Sequence, residues 1–190
     1  YEFADSDRPP LVLSVGEFDD RKRPEFIVRA VASSRSRPAL LWVANRADAV
    51  CLARVRRLAS EYGVQLNVRL NVPQDELVGL YQKAAVFLYA ARLEPFGLAP
   101  LEASSCGTPV IAVAEGGVRE SISHMDNGLL VDSAPEAMAA ALDSLIEDPD
   151  LCQRLGRQAA AKVRAGWTLE DAAARLERHL IEVATLRKAR

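Results

Sequence analysis

Residues that bind metals or form cross-links are scarce in this 190-residue chain, with 3 cysteines and 2 histidines. Cys51, Cys106 and Cys152 are widely scattered and no C-x-x-C is present, which excludes zinc-ligand spacing and a disulfide framework. They read as small buried hydrophobes of a protein kept reduced in the cytoplasm. His124 and His179 lie too far apart to suggest a metal cluster and are expected at the surface or as caps. Neither sign of charge is in excess: the net charge of −2 offers nothing to nucleic acid or to an acidic membrane surface. No apolar run approaches the roughly 18–20 residues that span a bilayer, and no signal-peptide pattern is present. Internal repeats and low-complexity tracts are absent as well. The chain opens Tyr1-Glu2-Phe3-Ala4-Asp5 without a Met, like a cut linker. Residues 1–10 are therefore expected to be an interdomain linker remnant, and 11–190 a single domain.

What is present is a regular alternation of apolar β-rich runs with helical patterns. Leu11 to Val15 forms a continuous apolar run ending at Gly16, the mark of a buried strand. Pro24 opens a helix with Phe26, Ile27, Ala30 and Val31 on one face. Ala39 to Ala44 is a second strand. Asp48 caps a helix that Gly63 closes. A third strand is expected over 64–70, a helix over 75–83, a fourth strand over 86–90 and a helix over 99–106 stopped by Gly107. A fifth strand over 109–113, a helical turn over 118–123 and a sixth strand over 128–131 follow. The last third reads as three helices: one carries Met138, Ala141, Leu142, Leu145 and Ile146, one starts at Pro149, and one follows the break at Gly166-Trp167-Thr168. Thr168 with Asp171 is a cap for the last of them. The basic tail from Arg187 suits a solvated helix end.

Alternating β and α with apolar strands predicts an α/β fold: a Rossmann-like, doubly wound parallel sheet of about six strands with C-terminal helices. In the order 3-2-1-4-5-6 the topological switch falls between strands 1 and 4, so the loops after them should carry the chemistry. After strand 1, Gly16 allows close backbone approach, and Arg21-Lys22-Arg23 sets cations at a helix N-terminus, against the helix dipole. A bound anion would account for them; a solvated turn balanced by Asp19 and Asp20 is the alternative. The loop lacks the G-x-G-x-x-G of dinucleotide-binding domains, which argues against an NAD- or FAD-dependent oxidoreductase.

After strand 4 comes Glu94-Pro95-Phe96-Gly97-Leu98-Ala99-Pro100-Leu101-Glu102. Pro100 fits only the first turn of a helix, so the amides of Phe96 to Ala99 lie at its mouth, free to bind phosphate oxygens. Glu94 and Glu102 flank that cradle. Carboxylates repel phosphate and accept strongly from hydroxyls, so the pattern fits a ligand with a sugar, phosphates and a ribose in a row. After strand 5, Gly116-Gly117 is either a second close backbone approach or a plain turn.

Glu94 to Ala103, with Gly107-Thr108-Pro109-Val110 and Gly116-Gly117 downstream, resembles the donor-binding C-terminal domain of retaining GT-B glycosyltransferases of family 4 (glycosyl transferases group 1). The resemblance runs from about Val12 to the Trp167-Thr168 helix, and Glu94 and Glu102 match the family's E-x7-E motif. It implies that Glu94, the catalytic candidate, contacts donor-sugar hydroxyls. Phe96, Gly97 and Leu98 would bind the diphosphate through backbone amides, with Lys22 against it beside Gly16, and Arg21 or Arg23 standing in for the Arg that Glu17 replaces. Glu102 would hold the ribose, and Asn71 and Val72 would meet the base. It implies a metal-independent enzyme with no cofactor, a nucleotide-diphosphate-sugar as donor, and retention by front-face attack. The partner would be an N-terminal acceptor-binding domain of the same protein; nucleic acid is not expected, and peripheral membrane contact of the whole enzyme stays open. The isolated chain is expected to bind donor nucleotide and be nearly inactive. Glu17 stands where many members carry Arg, Asn71 where Gly is commoner, Ser104-Ser105 where Met-Ala is usual and Arg92 where Ser is frequent. Arg92 would reach the diphosphate or pair with Glu94. A non-catalytic module that keeps the fold for binding or scaffolding is the alternative function.

Overall fold

A computed structural model describes residues 10–188; residues 1–9 of the expected linker lie outside the described residues. The chain runs β1 (Leu11–Val15), α1 (Pro24–Ser33), β2 (Ala39–Ala44), α2 (Ala49–Glu61), β3 (Leu66–Leu70), α3 (Gln74–Lys83) and β4 (Val86–Tyr89). It continues with α4 (Leu98–Ser105), β5 (Val110–Val113), α5 (Val118–Ser121), β6 (Leu129–Val131), α6 (Pro135–Glu147), α7 (Pro149–Gly166) and α8 (Leu169–Lys188). The strands form one 6-stranded sheet in the order β3-β2-β1-β4-β5-β6, every pair parallel. This is the doubly wound order expected from the alternation of elements.

Successive strand residues point to opposite faces, so each strand feeds two cores. Val12 and Leu88 join Ile27, Val55, Met138, Leu142 and Leu155 under α1, α2, α6 and α7. Leu13 and Phe87 join Tyr81, Ala103 and Val118 under α3, α4 and α5. Cys51 and Cys152 are buried among these layers and burial pushes both thiols up to about 11, so they pack as inert hydrophobes. His124 caps locally, its Nδ1 accepting from the Leu130 N–H at 3.1 Å, and His179 is exposed on α8.

Several boundaries shift for local reasons. β3 starts at Leu66 rather than 64, because the Val64 N–H turns back to Ala59 O (2.8 Å) and the Gly63 N–H to Ser60 O (3.2 Å), closing α2. β5 starts at Val110 because Pro109 has no N–H for the ladder, although its carbonyl accepts from Phe87 at 2.9 Å. α5 ends at Ser121, short of 123, where the Ser123 N–H is taken by the buried Asn127 side chain at 2.7 Å. α4 begins one residue early, at Leu98, with Gly97 as its N-cap. At the far end, Thr168 and Asp171 cap α8 reciprocally, the hydroxyl donating to the carboxylate at 2.7 Å and accepting the Asp171 N–H at 3.1 Å.

Two braces hold the helices that carry the switch-point loops. Asp143 of α6, 5% exposed, accepts from Ser34 Oγ (2.6 Å), the Arg35 N–H (3.0 Å) and Ser36 Oγ (3.1 Å), tying α6 to the end of α1. Burial works to raise its pKa, but these hydrogen bonds outweigh it and hold the carboxyl below its ordinary value. Gly156 of α7 lies so close to the turn after α4 that a Cβ there would sit 2.1 Å from Gly107 O. Asp143→Ala is expected to lower stability at pH 7 by about 2–4 kcal/mol, measured by urea unfolding. Because the folded pKa is depressed, that stabilisation is full above the ordinary carboxylate range and fades as pH falls through the folded value. The gap between wild type and variant should therefore narrow in acid. Gly156→Ala is expected to lower the melting temperature despite its gain in helix propensity. Gly79→Ala in α3, where a Cβ meets nothing within 4 Å, is expected to raise it.

Candidate functional site

The parallel pairing of β1 with β4 brings the two loops expected to carry chemistry side by side. Residues 16–23 leave β1 and 90–97 leave β4, and the Arg92 N–H donates to Arg21 O at 2.9 Å to join them. Gly16 turns the chain at the end of β1 with φ 148, its carbonyl accepting from Trp42 Nε1 at 2.9 Å while Lys22 packs over its open face.

Lys22 and Glu94 meet as an ion pair at the centre of this junction, both side chains mostly buried (19% and 31% exposed). The lysine Nζ engages Glu94 Oε2. The neighbouring cations turn elsewhere. Arg21 is held by Asp19 (2.8 Å) and Glu17 (3.1 Å), and no hydrogen bond or ion pair among the described residues links it to Glu94. Arg23 pairs with Glu115 (3.3 Å), donates to Ser133 Oγ (2.6 Å) and lies 4.6 Å over the Phe26 ring. Each cation of the basic run thus has its own carboxylate, a partner the helix-dipole argument had assigned to a bound anion. Glu17 likewise is bracketed by Arg21 and by Arg46 at 2.7 Å. Arg92 is exposed and has no side-chain ion pair among the described residues; it is Lys22, and not Arg92, that pairs with Glu94.

Gly97 caps α4 with φ 87, and its own close neighbour is the Tyr89 hydroxyl, 2.9 Å from where a Cβ would stand. The amides of Gly97, Leu98 and Ala99 have no acceptor inside the helix, and Pro100 at the third helical position has no N–H to satisfy. Leu98 is 64% exposed, so this mouth is open to a ligand. Phe96 is anchored on Trp167 at the start of the last helical break, ring centroids 5.3 Å apart. Gly116 and Gly117 pack on the backbone of the same loop: a Cβ at Gly117 would lie 1.9 Å from Pro95 O, and the Gly117 N–H donates to Glu94 O at 2.9 Å. Their close approach is to Glu94 and Pro95, which they hold in place.

Glu102 lies on the exposed face of α4, one turn in, and accepts from the Tyr81 hydroxyl at 2.8 Å. Tyr89 is buried beside Glu94, and its hydroxyl has no hydrogen bond of good geometry. Burial first, and the adjacent carboxylate second, push both phenols above the ordinary tyrosine range, Tyr81 beside Glu102 and Tyr89 beside Glu94. Neither tyrosine stands out in the sequence, where they fall inside the expected helix over 75–83 and strand over 86–90; the signal available is that a buried tyrosine hydroxyl needs a partner. Asn71 takes the left-handed conformation (φ 55) that Asn tolerates best after Gly, with its N–H on Ala44 O at 2.9 Å. Asn71 and half-buried Val72 lie on the loop after β3, and no hydrogen bond among the described residues joins them to Lys22, Glu94 or Glu102.

A groove of about 370 Å³ opens at the N-terminus of α1, lined by Asp20, Arg23, Phe26, Arg29 and Arg92 among others. None of Lys22, Glu94, Glu102 or the α4 mouth lines it, so the groove and the paired carboxylates are separate features. Among the described residues no group of three or more His, Cys, Asp or Glu could hold a metal ion, and no helix is long and apolar enough to cross a membrane.

Residues 2–162 match the family model described as glycosyl transferases group 1. A D-inositol 3-phosphate glycosyltransferase of Thermobispora bispora is 36% identical over 174 residues, covering 83% of this chain and 40% of the relative. The chain thus spans about two fifths of the length of that curated relative. The sucrose-phosphate synthase of Thermosynechococcus elongatus superposes with a TM-score of 0.82 at 32% identity, over 94% of this chain and 46% of that one. The C-terminal domain of a glycosyl transferase group 1 family protein, LpcC of Francisella tularensis, shares the fold with a TM-score of 0.76 at 21% identity, over 85% of this chain and 89% of that one. On the family match and this identity, the chain belongs to the glycosyl transferases group 1 family.

Proposed function

We propose that this chain is the donor-binding domain of a retaining GT-B glycosyltransferase of family 4, which transfers a hexosyl group from a nucleotide-diphosphate-sugar to an acceptor hydroxyl. The observation that carries the reading is the pair of carboxylates, Glu94 and Glu102, set on either side of the open α4 amides with Lys22 beside them. The α4 amides and Lys22 supply positive potential where a diphosphate leaving group gains charge, a role that elsewhere falls to a divalent ion. Glu94 engages Lys22 through Oε2, which leaves Oε1 to accept from a donor-sugar hydroxyl. Glu102, farther along α4, is offset from the amide mouth by one helical turn, in reach of the ribose of the same nucleotide. Arg21, already engaged by Asp19 and Glu17, contributes potential at most, and Asn71 and Val72 await a base that reaches the β3 loop.

In the whole protein this domain would be C-terminal to an acceptor-binding domain, with the reaction in the cleft between them. The extent of the fold shared with a C-terminal domain of the same family supports this arrangement. Transfer needs the acceptor held close and water excluded, and both depend on that partner domain, so the chain alone binds donor and turns over almost nothing.

Calorimetric titration with UDP, GDP and ADP is expected to find binding of at least one of them; folded protein that binds none would sink the reading. Glu102→Ala is expected to weaken the nucleotide that binds by about 1.5–3 kcal/mol, the worth of a hydrogen bond to a charged group. Lys22→Ala is expected to weaken the nucleoside diphosphate by a similar amount, about 1.5–3 kcal/mol, and to leave the affinity of the phosphate-free nucleoside unchanged. Equal losses for both ligands would remove Lys22 from the diphosphate site.

A further inference from the structure

Among the side chains that surround the paired carboxylates, one has a position that the donor-binding reading does not use. Tyr81 projects from α3, which packs against β1 and α4, and its hydroxyl donates to Glu102 Oε2 at 2.8 Å across 21 residues of sequence. The two partners differ sharply in environment: Tyr81 is 2% exposed, whereas Glu102 stands on the open face of α4. The ring packs on Phe87 with centroids 5.7 Å apart, and the Tyr81 backbone carbonyl accepts from the Thr108 hydroxyl, so the residue is held at its backbone, its ring and its hydroxyl.

We propose that Tyr81 is a positioning residue for Glu102, which locks the carboxylate for the vicinal ribose hydroxyls of a nucleoside diphosphate and so sets the preference for ribonucleotides. The proposal rests on the donor-binding reading above. An exposed glutamate samples many rotamers, and ordering it on a ligand costs conformational entropy. Tyrosine has only two side-chain torsions and here both are packed, so the hydrogen bond transfers the rigidity of the core to the carboxylate. Oε2 is held, and Oε1 has no protein partner among the described residues. A carboxylate with one oxygen fixed presents a defined plane to two neighbouring hydroxyls, which is preorganisation of a binding group. The choice of a phenol matters too. Burial and the Glu102 charge keep Tyr81 protonated and donating, and a neutral donor orients the carboxylate without cancelling its charge as a lysine would.

The experiment is a comparison of dissociation constants on the 190-residue chain, using whichever of UDP, GDP and ADP binds most tightly and its 2′,3′-dideoxy counterpart. Tyr81→Phe keeps the ring, and thermal melts confirm the fold. The affinity for the ribonucleotide is expected to fall about 3- to 10-fold while the dideoxy compound binds as before. Glu102→Asp, at an exposed position, keeps the charge but draws the carboxylate away from Tyr81, and is expected to lose the same preference. A Tyr81→Phe variant that weakens both ligands equally, or that keeps the full ribonucleotide preference, overturns the proposal, as does a Glu102→Asp variant that keeps it. Glu102→Ala separates the two layers. If it abolishes the preference and Tyr81→Phe does not, the role of Tyr81 fails and the ribose site stands; if it leaves the preference intact, the ribose reading fails and takes the role of Tyr81 with it.

Discussion

The parallel pairing of β1 with β4 is the constraint from which the site follows. Val12 lies opposite Val86 and Leu13 opposite Phe87, and the buried Ser14 hydroxyl adds a bond to Leu88 O at 3.0 Å. These strands are far apart in sequence, and between them the chain completes α1, β2, α2, β3 and α3 before it returns. Once the register is set, Lys22 and Glu94 face each other although 72 residues separate them. The sheet reverses its winding direction here, so the loops at the carboxyl ends of the two strands part and leave a crevice. Neither loop could make the site alone: one brings the cation, the other the carboxylate and the helix mouth.

The packing around this junction acts mainly to keep the loop after β4 from moving. Its backbone is gripped from β5 by Gly116 and Gly117, from the helical end of the chain by Trp167 on Phe96, and from below by Tyr89 under Gly97. The α4 helix that it opens is backed by α7 through the close approach of Gly156 to Gly107. A helix N-terminus binds an anion well only if its amides are already aligned, because the energy of aligning them would otherwise be drawn from binding. The glycines and aromatics supply that alignment, and the apolar layers supply the platform.

How much of this the sequence reveals depends on the range of the interaction. Strand order, the switch point and the α4 mouth are legible, since apolar periodicity, Pro100 and Gly107 act within a few residues. Glu94 and Glu102, on either side of that mouth, are legible for the same reason. What escapes is pairing across the fold. The basic run at 21–23 reads as an anion site or as a turn balanced by Asp19 and Asp20, and the carboxylates it pairs with are Glu17, Asp19, Glu94 and Glu115, two of them from distant loops. Gly116-Gly117 announced a close approach without saying to what, and the answer is a backbone rather than a ligand. Asp143 sits in an apolar helix face where it reads as a surface residue; only the fold shows that Ser34, Arg35 and Ser36 surround it. Boundaries shifted where a side chain or a proline took over a backbone bond, as at Asn127 and Pro109.

The two carboxylates are held by partners of opposite character, and that difference has a consequence for how the site meets its ligand. Glu94 is paired with a lysine, a charged group on a flexible stem that can exchange one anion for another at modest cost. Glu102 is paired with a buried phenol that is neutral and immobile. On the proposed donor-binding reading, a diphosphate at the α4 mouth would draw on Lys22 while Glu94 keeps Oε1 for the sugar. On the same reading Glu102 would meet the ribose with its phenol partner already in place. On that reading each carboxylate would keep Oε1 free and have Oε2 fixed by a partner that suits the group it faces, a cation beside the diphosphate and a neutral phenol beside the ribose.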